Sequence, residues 1–145
     1  MKRLALVATV LALGGSFALA QQDPIAARKA IMKKNGDEAK IGNQYMKGEA
    51  AFDLAKAKAI FAAYQDAASK MPSLFPDNSK TGGDTAALPA IWEKKDDFVA
   101  KLKKLGEDAK EAEAKVTDEA SFKAVFPNVQ KNCGGCHETY RLKKS

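Results

Sequence analysis

The sequence predicts an all-α protein, an antiparallel up-down-up-down four-helix bundle with a long loop between its second and third helices. Three observations carry this. Ala and Lys are abundant, while the 145 residues include only 5 Pro and 8% aromatics, a composition that favours helix over strand. Four stretches repeat their apolar residues at the three-to-four-residue helical period. Between the second and third of them, Pro, Gly and turn-forming polar side chains collect instead.

A leader precedes the bundle. Residues 1–20 open with Met1-Lys2-Arg3, run apolar from Leu4 to Leu13, and end in Ala18-Leu19-Ala20, the pattern of a secretory signal peptide cleaved after Ala20. Its apolar core of about 10 residues is short beside the ~20 that span a membrane. Removal takes Lys2 and Arg3 with it, so the formal net charge falls by two, from +6 to +4, and the expected mature domain is 21–145. The remaining Lys residues are interspersed with Asp and Glu, which argues against nucleic-acid binding. The expected location is the periplasm, with the mature domain free of the membrane.

Asp23 caps the first helix and Pro24 suits its first position. Ile25, Met32, Ala39 and Met46 recur every seven residues, with Ile31, Ile41 and Tyr45 beside them, so the helix runs to about Gly48. Gly36 and Gly42 weaken it and either bend it or let a neighbour approach closely. Asp53 caps the second helix, in which Leu54, Ala57, Phe61, Tyr64 and Ala68 share a face, and Met71-Pro72 stops it. Pro72 to Pro89 is the crossover loop, containing Pro76, Gly82 and Gly83. The third helix spans Trp92 to Val116 on the stripe Phe98, Leu102, Leu105, Ala109, Ala112 and Val116. Thr117 or Asp118 caps the fourth, whose stripe runs Phe122, Phe126, Val129, Cys133, Cys136 and Tyr140, and Pro127 predicts a kink or restart within it.

Cys133-Gly134-Gly135-Cys136-His137 is the C-x-x-C-H pattern of covalent haem c attachment. Residues at i, i+3 and i+4 share one face of a helix, so both thiols and the imidazole point the same way. Two sulfurs then bond the haem vinyl carbons while His137 ligates iron, and Gly134 and Gly135 keep bulk from the porphyrin edge. A thioredoxin-like dithiol would need a βαβ context. A zinc site lacks its fourth ligand, and a plain disulfide leaves His137 unexplained. The cofactor expected is therefore one haem c at one end of the bundle.

His137 is the only histidine, so the sixth iron position falls to Met, Lys, a small ligand or nothing. Met32, Met46 and Met71 are the methionines outside the leader. If the first helix rises while the fourth descends, Met32 lies ~12 Å from its start and His137 ~12 Å from the chain end, which makes them level. Met46 lies ~21 Å further along and reads as core filler. Met71 closes the second helix, so it too lies at the haem end; beside Pro72 it reads as a loop wall rather than a ligand, an alternative that stays open. Met32 is the expected distal ligand.

Taken together the residues resemble the class II c-type cytochromes, the cytochrome c-prime family with its low-spin, methionine-ligated c-556-type relatives. The resemblance covers the mature chain. It rests on the C-terminal C-x-x-C-H followed by Tyr140 and Arg141, on Leu74-Phe75-Pro76, on Gly82-Gly83-Asp84, on Pro89 to Trp92, and on Arg28 four residues before Met32. It implies that Arg28 lies near a haem propionate, Arg141 near the proximal polar edge, and Trp92 and Tyr140 in the haem surround. Because Met stands at the position over the open haem face, the resemblance points to the low-spin, electron-transferring branch. The alternative is the c-prime branch proper, with five-coordinate iron that binds nitric oxide or carbon monoxide.

Electron transfer needs a held iron and an exposed haem edge rather than substrate chemistry, so the protein is expected not to be an enzyme. A peroxidase would need a distal base that this chain lacks. Expected partners are periplasmic or membrane-bound redox proteins, with Lys101, Lys103, Lys104, Lys143 and Lys144 available to steer an acidic one. The resemblance also brings in a homodimer through the first helices.

Overall fold

The computed structural model describes residues 23–143, and the expected signal at 1–20 lies outside them. Helix α1 spans Pro24–Lys47, with the Asp23 carboxylate accepting from the Ile25 amide at 2.9 Å and Gly48 closing it at φ 70°. A left-handed closing residue of this kind is where glycine avoids a Cβ penalty. Helix α2, Leu54–Lys70, is capped by the Asp53 side chain on the Lys56 amide. Ala57, Phe61, Tyr64 and Ala68 are buried as their spacing predicts, but Leu54, in the first turn, is exposed.

The crossover is folded rather than slack. It holds two 3-10 turns, Met71–Leu74 and Asp77–Ser79, and then Gly82, Gly83 and Asp84 in succession at positive φ. Gly83 also lies against Ile25, where a Cβ would come within 3.2 Å.

The expected third helix is broken. A four-residue helix, α3 (Ala90–Glu93), precedes α4 (Lys95–Lys115), with Lys94 between them at φ −125° and ψ 47°. The residues before the break are tied to the crossover: Trp92 Nε1 donates to the carbonyls of Phe75 at 3.0 Å and Pro76 at 3.3 Å. Helix α5, Glu119–Tyr140, starts at Asp118, which forms a reciprocal capping box with Ser121. It runs unbroken through Pro127 where the sequence predicts a kink or restart. Pro127 lies on the exposed face, so its ring and its missing N–H fall on the solvent side of α5 and not in the core.

The long helices pack in a ring, α1 on α2, α2 on α4, α4 on α5 and α5 back on α1, a four-helix bundle without strands among the described residues. An isolated antiparallel bridge joins Ala87 to Arg141 and ties the crossover to the end of α5. The core divides along the bundle axis. One cluster is aromatic, with Tyr45, Phe61, Phe122 and Phe126 packed ring on ring. The other, under the crossover, contains Met71, Phe75, Ile91, Phe98, Leu102 and Tyr140.

Candidate haem-binding site

The last turns of α5 carry Cys133, Cys136 and His137 at the level of the second cluster, and all three are half-buried. Both cysteines are free thiols. Burial raises the pKa of both. At Cys136, nearby Lys101 opposes that rise, while Cys133 and Asp97 add to it. Burial, then the Arg141 guanidinium, holds the His137 imidazole below its ordinary pKa, which favours the neutral ring that ligates metals. A Cβ on Gly134 or Gly135 would meet nothing within 4 Å, so this edge of the helix is open. An open groove of about 520 Å³ between α4 and α5 reaches Gly135 and Cys136.

Met32 is half-buried and packs against the same cluster as Cys136. Met46 packs against the other cluster, and Met71 is buried within the near one. The three methionines are thus sorted along the axis as the sequence levels predict.

Arg28 is 4% exposed, although it is charged. Its guanidinium donates to Leu74 O at 3.1 Å, Ser79 Oγ at 2.8 Å, Ser79 O at 2.9 Å and Thr85 Oγ1 at 2.7 Å, and it lies 4.6 Å over the Phe75 ring. Burial lowers its pKa while Asp23 raises it. Arg28 thus pins the crossover to α1. Trp92 is half-buried with its ring edge-on to Phe75. Tyr140 is buried, and its hydroxyl donates to Asp97 at 2.5 Å. Arg141 is exposed, beyond the end of α5.

Among the described residues, two buried polar side-chain atoms have no hydrogen-bond partner, Asn35 Oδ1 and the Tyr64 hydroxyl. Burial, then Cys133 and Glu38, raise the Tyr64 pKa, so this phenol lies beside the first cysteine of the motif. Buried polar groups are ordinarily satisfied. An orphaned phenol near Cys133, two half-buried cysteines, an imidazole held toward its neutral form and an open helix edge fit a large group with its own polar atoms seated on Cys133, Cys136 and His137. Asn35 and Tyr64 escape sequence reading because on a helical stripe they are indistinguishable from a spacer and a core aromatic.

The sequence profile described as Cytochrome C' matches residues 23–141. The chain belongs to the cytochrome c' family. It is 48% identical over 143 residues to cytochrome c' of Rhodopseudomonas palustris, covering 99% of this chain and 98% of that one. It is 41% identical over 121 residues to cytochrome c-556 of Agrobacterium fabrum, covering 83% and 82%. Among solved structures, cytochrome c' from Rhodopseudomonas palustris superposes with a TM-score of 0.83 at 49% identity, over 86% of this chain and 100% of that one. Oxidised cytochrome c556 of R. palustris gives 0.79 at 29% identity, over the same shares. Membership of this class II cytochrome family identifies the group that fits the motif as covalently attached haem c.

Proposed function

We propose that this class II cytochrome is a periplasmic one-electron carrier, in which His137 and Met32 would ligate the iron of a single haem c. When bound, the haem iron supplies one-electron exchange. The chain's residues do the rest. Cys133 and Cys136 fix the group through two thioethers, and His137, on the same face, ligates from α5. Met32 brings a thioether from α1, a ligand class that raises potential relative to a second imidazole. Phe75, Phe98, Leu102 and Met71 exclude water and disfavour the charged ferric state. Arg28, within reach of the crossover, offers positive charge toward a propionate, and Arg141 does so at the proximal edge. One-electron exchange makes and breaks no substrate bonds, so the activity proposed is transfer without turnover.

The observation that carries Met ligation is the shared packing of Met32 and Cys136 on one cluster, with Met46 at the other end. Optical spectra of the mature protein test it. Low-spin bands with a methionine-to-iron charge-transfer band are expected, and a five-coordinate high-spin spectrum would sink it. The name cytochrome c' on the 48% identical relative favours a second reading, five-coordinate iron open to nitric oxide or carbon monoxide. Rapid stoichiometric carbon monoxide binding by the reduced protein would establish that reading.

Export follows from the signal-like residues 1–20, and among the described residues no helix is long and apolar enough to cross a membrane. An N-terminal residue of Gln21 in secreted protein tests cleavage. Proposed partners are acidic redox proteins, met at the Lys-rich flank of α4, and a second copy of the chain through α1.

A further inference from the structure

Two hydrogen bonds donated by α5 to carboxylates of α4 bracket the haem-bearing motif. Just before Cys133, Asn132 Nδ2 donates to Asp108 Oδ2 at 2.8 Å. Three residues after His137, the Tyr140 hydroxyl donates to Asp97 Oδ2 at 2.5 Å. On α5, Asn132, Cys136 and Tyr140 are spaced four apart and fall on one stripe. On α4, Asp97, Lys101, Lys104 and Asp108 are spaced by 4, 3 and 4 and fall on the facing stripe. Cys136 therefore lies between the two anchors, and it senses Lys101 and Asp97 between them. Lys104 holds the Asp108 carboxylate from below at 2.9 Å, so that acceptor is itself fixed.

We propose that Asp97 and Asp108 are positioning residues, which hold the Cys133–His137 turns in rotation and height against α4 through Tyr140 and Asn132. One anchor would leave the helix free to turn about it. Two anchors eight residues apart on α5, more than two helical turns, stop both rotation and sliding. Sub-ångström placement of an axial ligand depends on such supporting bonds to the segment that carries it. The acceptor, and not its charge, is the requirement, because an amide oxygen can take the same hydrogen bond from a phenol.

This proposal rests on the haem reading above, and the test separates the two. In ferric holoprotein, proton NMR of the haem methyls reports the orientation of the axial imidazole. Asp97→Ala and Tyr140→Phe are expected to displace the methyl resonances in the same pattern. The double variant should move them no further than either alone. Asp97→Asn, which keeps an acceptor and loses the charge, is expected to retain the wild-type pattern. Tyr140→Phe preserves the apolar packing and stands in if Asp97→Ala does not fold. Unmoved methyl resonances in Asp97→Ala and Tyr140→Phe would overturn the proposal, even with a lowered urea midpoint. So would an Asp97→Asn spectrum as displaced as that of Asp97→Ala. Wild-type protein without a covalent haem c spectrum would instead refute the haem reading.

Discussion

Gly42 on α1 lies directly against the Phe126 ring of α5, so closely that a Cβ on Gly42 would overlap the ring. Nearby, the Tyr45 and Phe122 rings meet at 5.8 Å, so moving up α1 from Gly42 moves back along α5 from Phe126. The two helices are therefore antiparallel in a fixed register. Carried toward the crossover at equal rise per residue, the Gly42–Phe126 pairing sets Asn35 level with Cys133 and Met32 level with Cys136, beside His137. The absence of one methyl group decides which residue of α1 stands opposite the motif. Gly42→Ala should overpack this contact and lower stability by about 1–3 kcal/mol, despite the better helix propensity of Ala. Gly36, on open surface, is the control: Gly36→Ala should raise stability by about 0.5–1 kcal/mol. Urea unfolding of both variants checks the contrast.

Arg28 supplies four hydrogen bonds to the crossover from a buried position. Arg28→Ala strips partners from Leu74 O and Ser79, and should cost on the order of 3 kcal/mol. The crossover between Pro72 and Pro89 should become the first site cut in limited proteolysis. Arg28→Lys should recover only part of the loss, because one ammonium cannot reproduce the planar fork.

The helices were legible because their signals are local: Asp23, Asp53 and Asp118 beside apolar stripes mark starts, and Gly48 marks a stop. The motif was legible for the same reason, three residues on one face within five positions. What the sequence left unread depends on partners far away along the chain. Arg28 is singled out in the sequence by the family resemblance alone, and its hold on the crossover depends on Ser79 and Thr85, 51 and 57 positions later. Asp97 reads as a surface acid until Tyr140 reaches it across 43 residues. The break at Lys94 was hidden because Trp92 fits the helical period while its indole N–H is drawn to the crossover. Pro127 misled in the other direction: its position on the exposed face, which makes it tolerable, is a tertiary fact.

The methionines give a three-way spectroscopic test. Met32→Ala should remove the methionine-to-iron charge-transfer band and leave the covalent haem c in place. Met46→Ala, at the far cluster, should leave the spectrum unchanged and cost about 2 kcal/mol in stability. Met71→Ala should cost about 3 kcal/mol, since that side chain is buried in the near cluster, again with the band retained. A band lost in Met71→Ala and kept in Met32→Ala would reassign the distal ligand.

Tyr140 links the fold to alkaline pH. Burial, and next its hydrogen bond to Asp97, push its hydroxyl up to about 12, whereas the unfolded chain titrates near 10. The folded state thus keeps a proton that the unfolded state gives up. The stabilisation is complete below pH ~10 and is lost as pH rises from there through the folded value of about 12. Tyr140→Phe removes the titrating group, so its stability should be lower than wild type at pH 7 and fall less steeply above pH ~10. Urea midpoints of the two proteins, measured from neutral pH to pH ~11, should converge as the alkaline limb is climbed. Parallel curves across that range would show that Tyr140 does not carry the alkaline loss.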